Sequence, residues 1–139
     1  MDITNAVPSD MESIVALWEA CGLTRPWNDP RDDFARALTS PDCTVFVGRE
    51  DGRLATSIMV GFDGHRGWVY YLAVEPAERR RGLGSQMMEA AEAWLKLRKA
   101  PKLQLMVREG NGAALAFYEN FELERQPVVV LGKFLTYVG

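Results

Sequence analysis

A mixed α/β domain built on one central sheet is the fold class this sequence predicts. Three observations predict it. The first half carries β-rich runs joined by hairpin signals, the middle alternates strand and helix, and no segment repeats or is of low complexity. The expected order is β-α-α-β-β-β-α-β-α-β-β, a mixed sheet with helices on both faces, in a single domain over residues 1–139. Hairpins ahead of the βα units argue against a doubly wound Rossmann arrangement.

Each element has its own signal. Ile3 to Ala6 reads as a short first strand, and Ser9 with Glu12 as a capping box. Met11, Ile14, Val15, Trp18 and Cys21 then recur at helical spacing, and Gly22 ends that helix. Asp29 followed by Pro30 is an N-cap and first-turn pair, with Phe34, Ala37 and Leu38 as the apolar side of a second helix. "CTVFVGRE" and "RLATSIMVGF" flank Asp51-Gly52, a strong hairpin signal. "FDGHRG" is a further turn, and "WVYYLAV" a strand that stops before Pro76. Gly84 to Arg98 is helical, with Met87, Met88, Ala91, Trp94 and Leu95 inward. "KLQLMV" reads as a strand, 112–120 as a short helix, and Pro127 to Leu131 and Lys133 to Val138 as closing strands.

Composition narrows the function classes. The net charge is −3, which lacks the basic surplus of a nucleic-acid binder. Residues 1–64 hold five basic and eleven acidic side chains, and residues 65–139 eleven basic and eight acidic. The first part therefore favours cations and the second anions. Cys21 and Cys43 are isolated and His65 is the one histidine, so no metal-ligand spacing exists. "MDITNAVPSD" lacks the basic-then-apolar pattern of a signal peptide, and no apolar run approaches the ~20 residues of a membrane span. A cytoplasmic protein with buried thiols is expected, with no membrane partner.

The stretch "EPAERRRGLGSQM" carries the chemistry. Arg79, Gly82 and Gly84 form R-x-x-G-x-G where a strand gives way to a helix. A helix start offers unpaired N–H groups and partial positive charge, and glycine lets a ligand approach the backbone. Phosphate recognition fits this, and so does a plain turn with a solvated arginine cluster. A Walker loop is excluded because Ser85-Gln86 follows Gly84, and a dinucleotide fingerprint because position 87 is Met.

A second element, "VREGNGAALAFYENF", sets Asn111 before a helix and Tyr118 about two turns along it. With "YYLAV", "EPAERRRGLG" and the Asn111, Ala114, Tyr118 spacing, the chain resembles the GCN5-related N-acetyltransferases, the GNAT family. "RPWNDP", "GFDGHRG" and "LGK" resemble the small bacterial acetyltransferases of the YpeA type.

The resemblance implies an acetyl-CoA-dependent N-acetyltransferase with an acyl-CoA N-acyltransferase fold. Acetyl-CoA would lie where the fourth and fifth strands splay apart. Its pantetheine arm would pair with Leu72, Ala73 and Val74, as an added strand does. Its pyrophosphate would rest on the amides of Arg80, Arg81, Gly82, Leu83, Gly84 and Ser85. The arginine side chains, Arg79 included, would be auxiliary, gripping the 3′-phosphate or facing water. Asn111 would bind the pantetheine arm and Phe117 flank it. Tyr118, protonated at neutral pH, would donate a proton to the departing sulfur.

Family positions for a general-base glutamate hold Trp68 and Met106 here, so Tyr70, Asp63, His65 or a water chain remain as substitutes. Glu122 stands where the family often has glycine. On the acceptor side, Trp27 is open to stacking or to covering the core, and Asp29 to attracting an amine or to capping its helix. The acceptor is expected to be a small-molecule or peptide amine. The late apolar strands suit pairing of two copies into a homodimer. A catalytically inactive CoA-binding module is the alternative reading.

Overall fold

The computed structural model describes residues 1–136. The chain forms two compact units, Met1–Leu105 and the segment from Met106 on. The first contains β1 (Asp2–Asn5), α1 (Met11–Ala20), α2 (Pro30–Thr39), β2 (Cys43–Glu50), β3 (Arg53–Phe62), β4 (Gly67–Val74), α3 (Leu83–Leu97) and β5 (Leu103–Gln104). The second contains α4 (Gly112–Asn120).

Unit 1 is a five-stranded sheet in the order β1-β2-β3-β4-β5. The first four strands are antiparallel neighbours, and β5 runs parallel to β4. Asp51 (φ 50°) and Gly52 (φ 79°) both take the left-handed conformation that a two-residue hairpin turn demands. Strand alternation sends Val45, Val47 and Ala73 into the core shared with Ile14, Val15, Trp18, Phe34 and Ala37. The other face of the sheet meets α3, whose Met87, Met88, Ala91, Trp94 and Leu95 are buried as their spacing requires. Helices thus cover both faces of the sheet.

Three helices end in the same way. Leu23 N–H donates to the Trp18 carbonyl (3.0 Å), Ala100 N–H to Leu95 (3.1 Å) and Leu123 N–H to Tyr118 (3.0 Å). These are Schellman caps, which need a left-handed residue just past the helix. The residues are Gly22 (φ 69°), Lys99 (φ 60°) and Glu122 (φ 70°). At Glu122 the positive φ explains why glycine suits that position.

Several expectations are corrected. The Ser9–Glu12 capping box does not form. Pro8 starts a 3₁₀ turn earlier, so Asp10 takes the reciprocal role and accepts from Val7 N–H (2.9 Å). Glu12 pairs with Arg31 instead (2.9 Å). "KLQLMV" contributes a two-residue strand, since only Leu103 and Gln104 find partners, in Gly67 and Trp68. Residues 127–136 are coil, with Val129 84% and Leu131 90% exposed. Their β-branched composition supplies propensity, but a strand also needs an aligned partner, and none pairs there among the described residues. The end of the last expected strand, 137–138, lies outside those residues.

Candidate active site

In unit 1 the turn from β4 into α3 is shaped by two left-handed residues, Arg80 (φ 68°) and Gly82 (φ 77°). Gly82 is the N-cap of α3 and makes no side-chain cap. The first helical bond comes from Gln86 N–H to the Gly82 carbonyl (3.2 Å), so the amides of Leu83, Gly84 and Ser85 have no partner within the helix. Left-handed residues either side of Arg81 curl successive amides into a concave nest of the kind that holds anions. Leu83 and Gly84 are buried, so main chain is what they can offer a ligand.

The three arginines separate. Arg79 and Arg80 are exposed. Arg81 is committed to ion pairs with Glu78 and with Glu50 (3.7 Å). Glu78 is buried and also accepts from Arg53 (3.1 Å). The hydrogen bonds from Arg53 and then Arg81 hold its carboxyl below the usual range. Arg81 therefore braces the turn against the β2–β3 hairpin.

The second feature is the edge of β4. Pairing with β5 stops at Trp68–Gln104, leaving β4 from Tyr70 onward without a strand on that side among the described residues. Glu75 N–H donates to the Ala55 carbonyl (2.8 Å). Antiparallel alternation then turns the main chain of Ala73 toward Ser57 and that of Val74 away from β3. The Ala73 carbonyl also accepts from Thr56 Oγ1 (2.5 Å), and the Val74 carbonyl from the Cys21 thiol (3.2 Å).

Between those paired ends β4 is bulged. The register slips between Ser57 and Met59, so Tyr71 and Leu72 together oppose Ile58. Tyr71 takes φ 54°. One extra residue reverses the alternation: Gly67 and Val69 face α3, whereas Tyr71 and Ala73 face α1 and α2. The Tyr71 ring stacks on Trp18 (3.8 Å, 10° between planes), and its hydroxyl donates to Asp33 Oδ2 (2.6 Å) and accepts from Asn28 Nδ2 (3.2 Å). Burial, and then the Asp33 bond, raise the Tyr71 hydroxyl above its usual pKa.

The expected acceptor and base residues take distinct places. Asp29 Oδ1 accepts from Arg31 N–H (2.9 Å), a capping role. Trp27 is 46% exposed. Asp63 accepts from the main-chain N–H groups of Arg66 (2.7 Å) and His65 (2.8 Å) and from Trp68 Nε1 (3.2 Å). Those bonds, Arg66 first, lower its pKa and make it a weak base. Tyr70 is exposed, but burial of part of its ring and the nearby Asp63 charge raise its hydroxyl. Neither is poised to take a proton at neutral pH.

In the second unit Asn111 caps α4, its Oδ1 accepting from Ala114 N–H (3.1 Å). Phe117 and Tyr118 meet edge to face (5.1 Å, 73°). Burial raises the Tyr118 pKa, so its hydroxyl keeps its proton at neutral pH.

Tyr71, Asn28, Asp33 and Glu78 were not singled out by the sequence. Adjacent Tyr70 and Tyr71 inside an alternating strand were the available sign of an inserted residue. Glu78 precedes the three arginines, but its partner Arg53 lies 25 positions away.

The profile of the Acetyltransferase (GNAT) family matches residues 11–122. The chain belongs to that family. A GNAT relative, an acetyltransferase of Yersinia enterocolitica, is 42% identical over 97% of this chain and 96% of its own. Two solved structures share the GNAT fold. The aminoglycoside 6′-N-acetyltransferase of Acinetobacter haemolyticus superposes with a TM-score of 0.81 at 16% identity, over 98% of this chain and 100% of that one. A predicted acetyltransferase of Clostridium acetobutylicum, solved with acetyl-CoA, gives 0.80 at 13% identity, over 95% of each chain. This GNAT chain is thus an acyl-transferring enzyme by family. No described helix is long and apolar enough to cross a membrane.

Proposed function

We propose that the chain is a single acyltransferase domain that uses acetyl-CoA to acetylate a primary amine. The observation that carries this reading is the open edge of β4 leading directly into the amide nest at the start of α3. An extended pantetheine arm pairs with main-chain groups of Leu72 and Val74, and the small Ala73 lies between them. The pyrophosphate takes the amides from Arg80 to Ser85, which fits the two left-handed residues found there. Arg79 and Arg80 supply side-chain charge. The amide NH2 of Asn111, whose oxygen is used in capping, bonds the pantetheine arm, and Phe117 flanks it.

The amine nitrogen attacks the thioester carbonyl carbon, the C–S bond breaks, and CoA leaves as thiolate. Tyr118 gives its proton to that sulfur. The proton lost by the amine passes to water, directly or through His65, because Asp63 and Tyr70 are held away from basicity. Asp29, Asp32 and Asp33 at the start of α2 favour a cationic acceptor, with Trp27 beside them in sequence as a stacking surface. An aminoglycoside acetyltransferase among the GNAT folds supports a small amine of that class. The free thiols Cys21 and Cys43 agree with a reducing, cytoplasmic setting. The exposed apolar run 128–131 supports pairing of two copies, which light scattering tests.

Asp63, saturated with donors, specifically favours a second reading: a module that binds CoA without turning over. Calorimetry with acetyl-CoA followed by thiol release over an amine panel separates the two. Binding without thiol release for any amine establishes the module, and no acetyl-CoA binding refutes both readings.

A further inference from the structure

We infer that Tyr71 is a positioning residue for acetyl-CoA, a side-chain clamp that holds the β4 bulge in the shape the pantetheine arm requires. This rests on the acyltransferase reading above.

A left-handed conformation costs a non-glycine residue roughly 1–2 kcal/mol, and an aromatic residue has no local means of recovering it. Such a conformation persists where the surroundings over-determine it. Tyr71 (φ 54°) is held at three points. Its ring lies flat on Trp18, at 3.8 Å. Trp18 is itself fully buried and fixed by Nε1 donating to Ser57 Oγ (3.0 Å), and Ser57 is the β3 residue at which the register slip begins. The hydroxyl is bound between Asp33 Oδ2 and Asn28 Nδ2, and Asp33 Oδ1 is braced by Arg36 (2.9 Å). The clamp therefore closes a circuit: β3 fixes Trp18, Trp18 fixes the Tyr71 ring, and α2 with the preceding loop fixes its hydroxyl.

The bulge sits between the last β4–β5 pair, at Trp68, and the main-chain groups of Leu72 and Val74. Its geometry sets the direction in which those groups leave β4. Releasing the hydroxyl lets Tyr71 relax toward ordinary extended φ. That rotation disturbs the pantetheine edge and leaves the α3 turn, held separately by Glu78 and Arg81, as it was. Asn28 and Asp33 belong to the acceptor-side stretch, so the same clamp ties the two substrate sides of unit 1 together.

The test compares two ligands on the same variants by calorimetry. Acetyl-CoA engages both the β4 edge and the α3 turn. Adenosine 3′,5′-bisphosphate, the nucleotide end of CoA, reaches only the turn. Tyr71→Phe keeps the stacked ring and removes the clamp. It is expected to weaken acetyl-CoA binding by about five- to tenfold, within the range of one ordinary hydrogen bond. Adenosine 3′,5′-bisphosphate affinity is expected to stay within about twofold. Asp33→Asn, which keeps the residue's shape, reports the same split should Tyr71→Phe fold poorly. With Asp33→Asn already in place, adding Tyr71→Phe should have little further effect. Equal weakening of both ligands marks general destabilisation and overturns the inference, as does unchanged acetyl-CoA affinity. Failure of the unaltered chain to bind acetyl-CoA would instead sink the acyltransferase reading itself.

Discussion

Gly67 opens β4 and admits no side chain. A methyl group placed on it would lie 2.6 Å from both Leu95 δ carbons and 3.1 Å from Leu95 Cγ. Carbon atoms prefer about 3.5–4.0 Å, so roughly 1 Å must be recovered. The whole isobutyl head of Leu95 is in the way, and it is only 3% exposed on the packed face of α3. The strand cannot give either, because Gly67 pairs with Phe62 on one side and Leu103 on the other. Gly67→Ala is therefore expected to destabilise by about 1–3 kcal/mol, the range for overpacking. Urea unfolding measures it. Leu95→Ala alone should cost about 2–5 kcal/mol through the cavity it leaves. The double variant decides the cause. If the clash is real, the added methyl fills part of that cavity, and the double variant is no less stable than Leu95→Ala alone. The coupling is then at least as large as the Gly67→Ala penalty and opposite in sign. Simple additivity of the two losses would refute the packing argument.

Other expectations follow from the caps and the site. Glu122→Gly should stabilise the protein by about 0.5–1 kcal/mol, since relief of a left-handed side chain exceeds the entropy glycine loses on folding; a lower urea midpoint contradicts this. Tyr118→Phe should lower kcat by about a hundredfold while acetyl-CoA affinity, read by calorimetry, stays near the parent value. Glu78 is bound as a carboxylate, with its folded pKa below the unfolded 4.5. Its contribution to stability is therefore present above about pH 4.5 and lost as pH falls through the folded value. Glu78→Gln should flatten that acid limb in melts at pH 3 to 6, and it should weaken adenosine 3′,5′-bisphosphate by freeing the turn. An unchanged limb removes Glu78 from the account.

Much of the fold was legible in the chain because local and global signals agree. Asp29-Pro30 is both a start signal and an observed cap, and Asp51-Gly52 both a turn signal and an observed pair of left-handed residues. The inward residues of α3 follow from spacing alone. What escaped depends on distance in space. The β4 bulge inserts one residue, so a two-residue alternation places Tyr71 on the wrong face from that point on. Its partners Trp18, Asn28 and Asp33 are 38 to 53 positions away, beyond any local pattern. Ser9 and Glu12 made an acceptable capping box on paper, yet Pro8 moved the cap two residues earlier, to Val7. The expected closing strands are rich in β-prone residues, and composition does not supply a partner. The site divides in the same manner. Motif glycines mark the amide nest, whereas the fate of each arginine depends on where Glu50 and Glu78 lie.

The short β5 covers only the start of β4 and leaves a seam along the rest of that strand's edge. Any extended ligand laid in that seam contributes ladder bonds to the native state and none to the unfolded chain. By mass action its free energy of binding adds to that of folding, about 2.7 kcal/mol at a hundredfold excess over Kd. On the proposed function, the melting temperature of the protein then becomes a gauge of the acetyl-CoA around it, and an acceptor that drains the acetyl group leaves CoA to carry the reading.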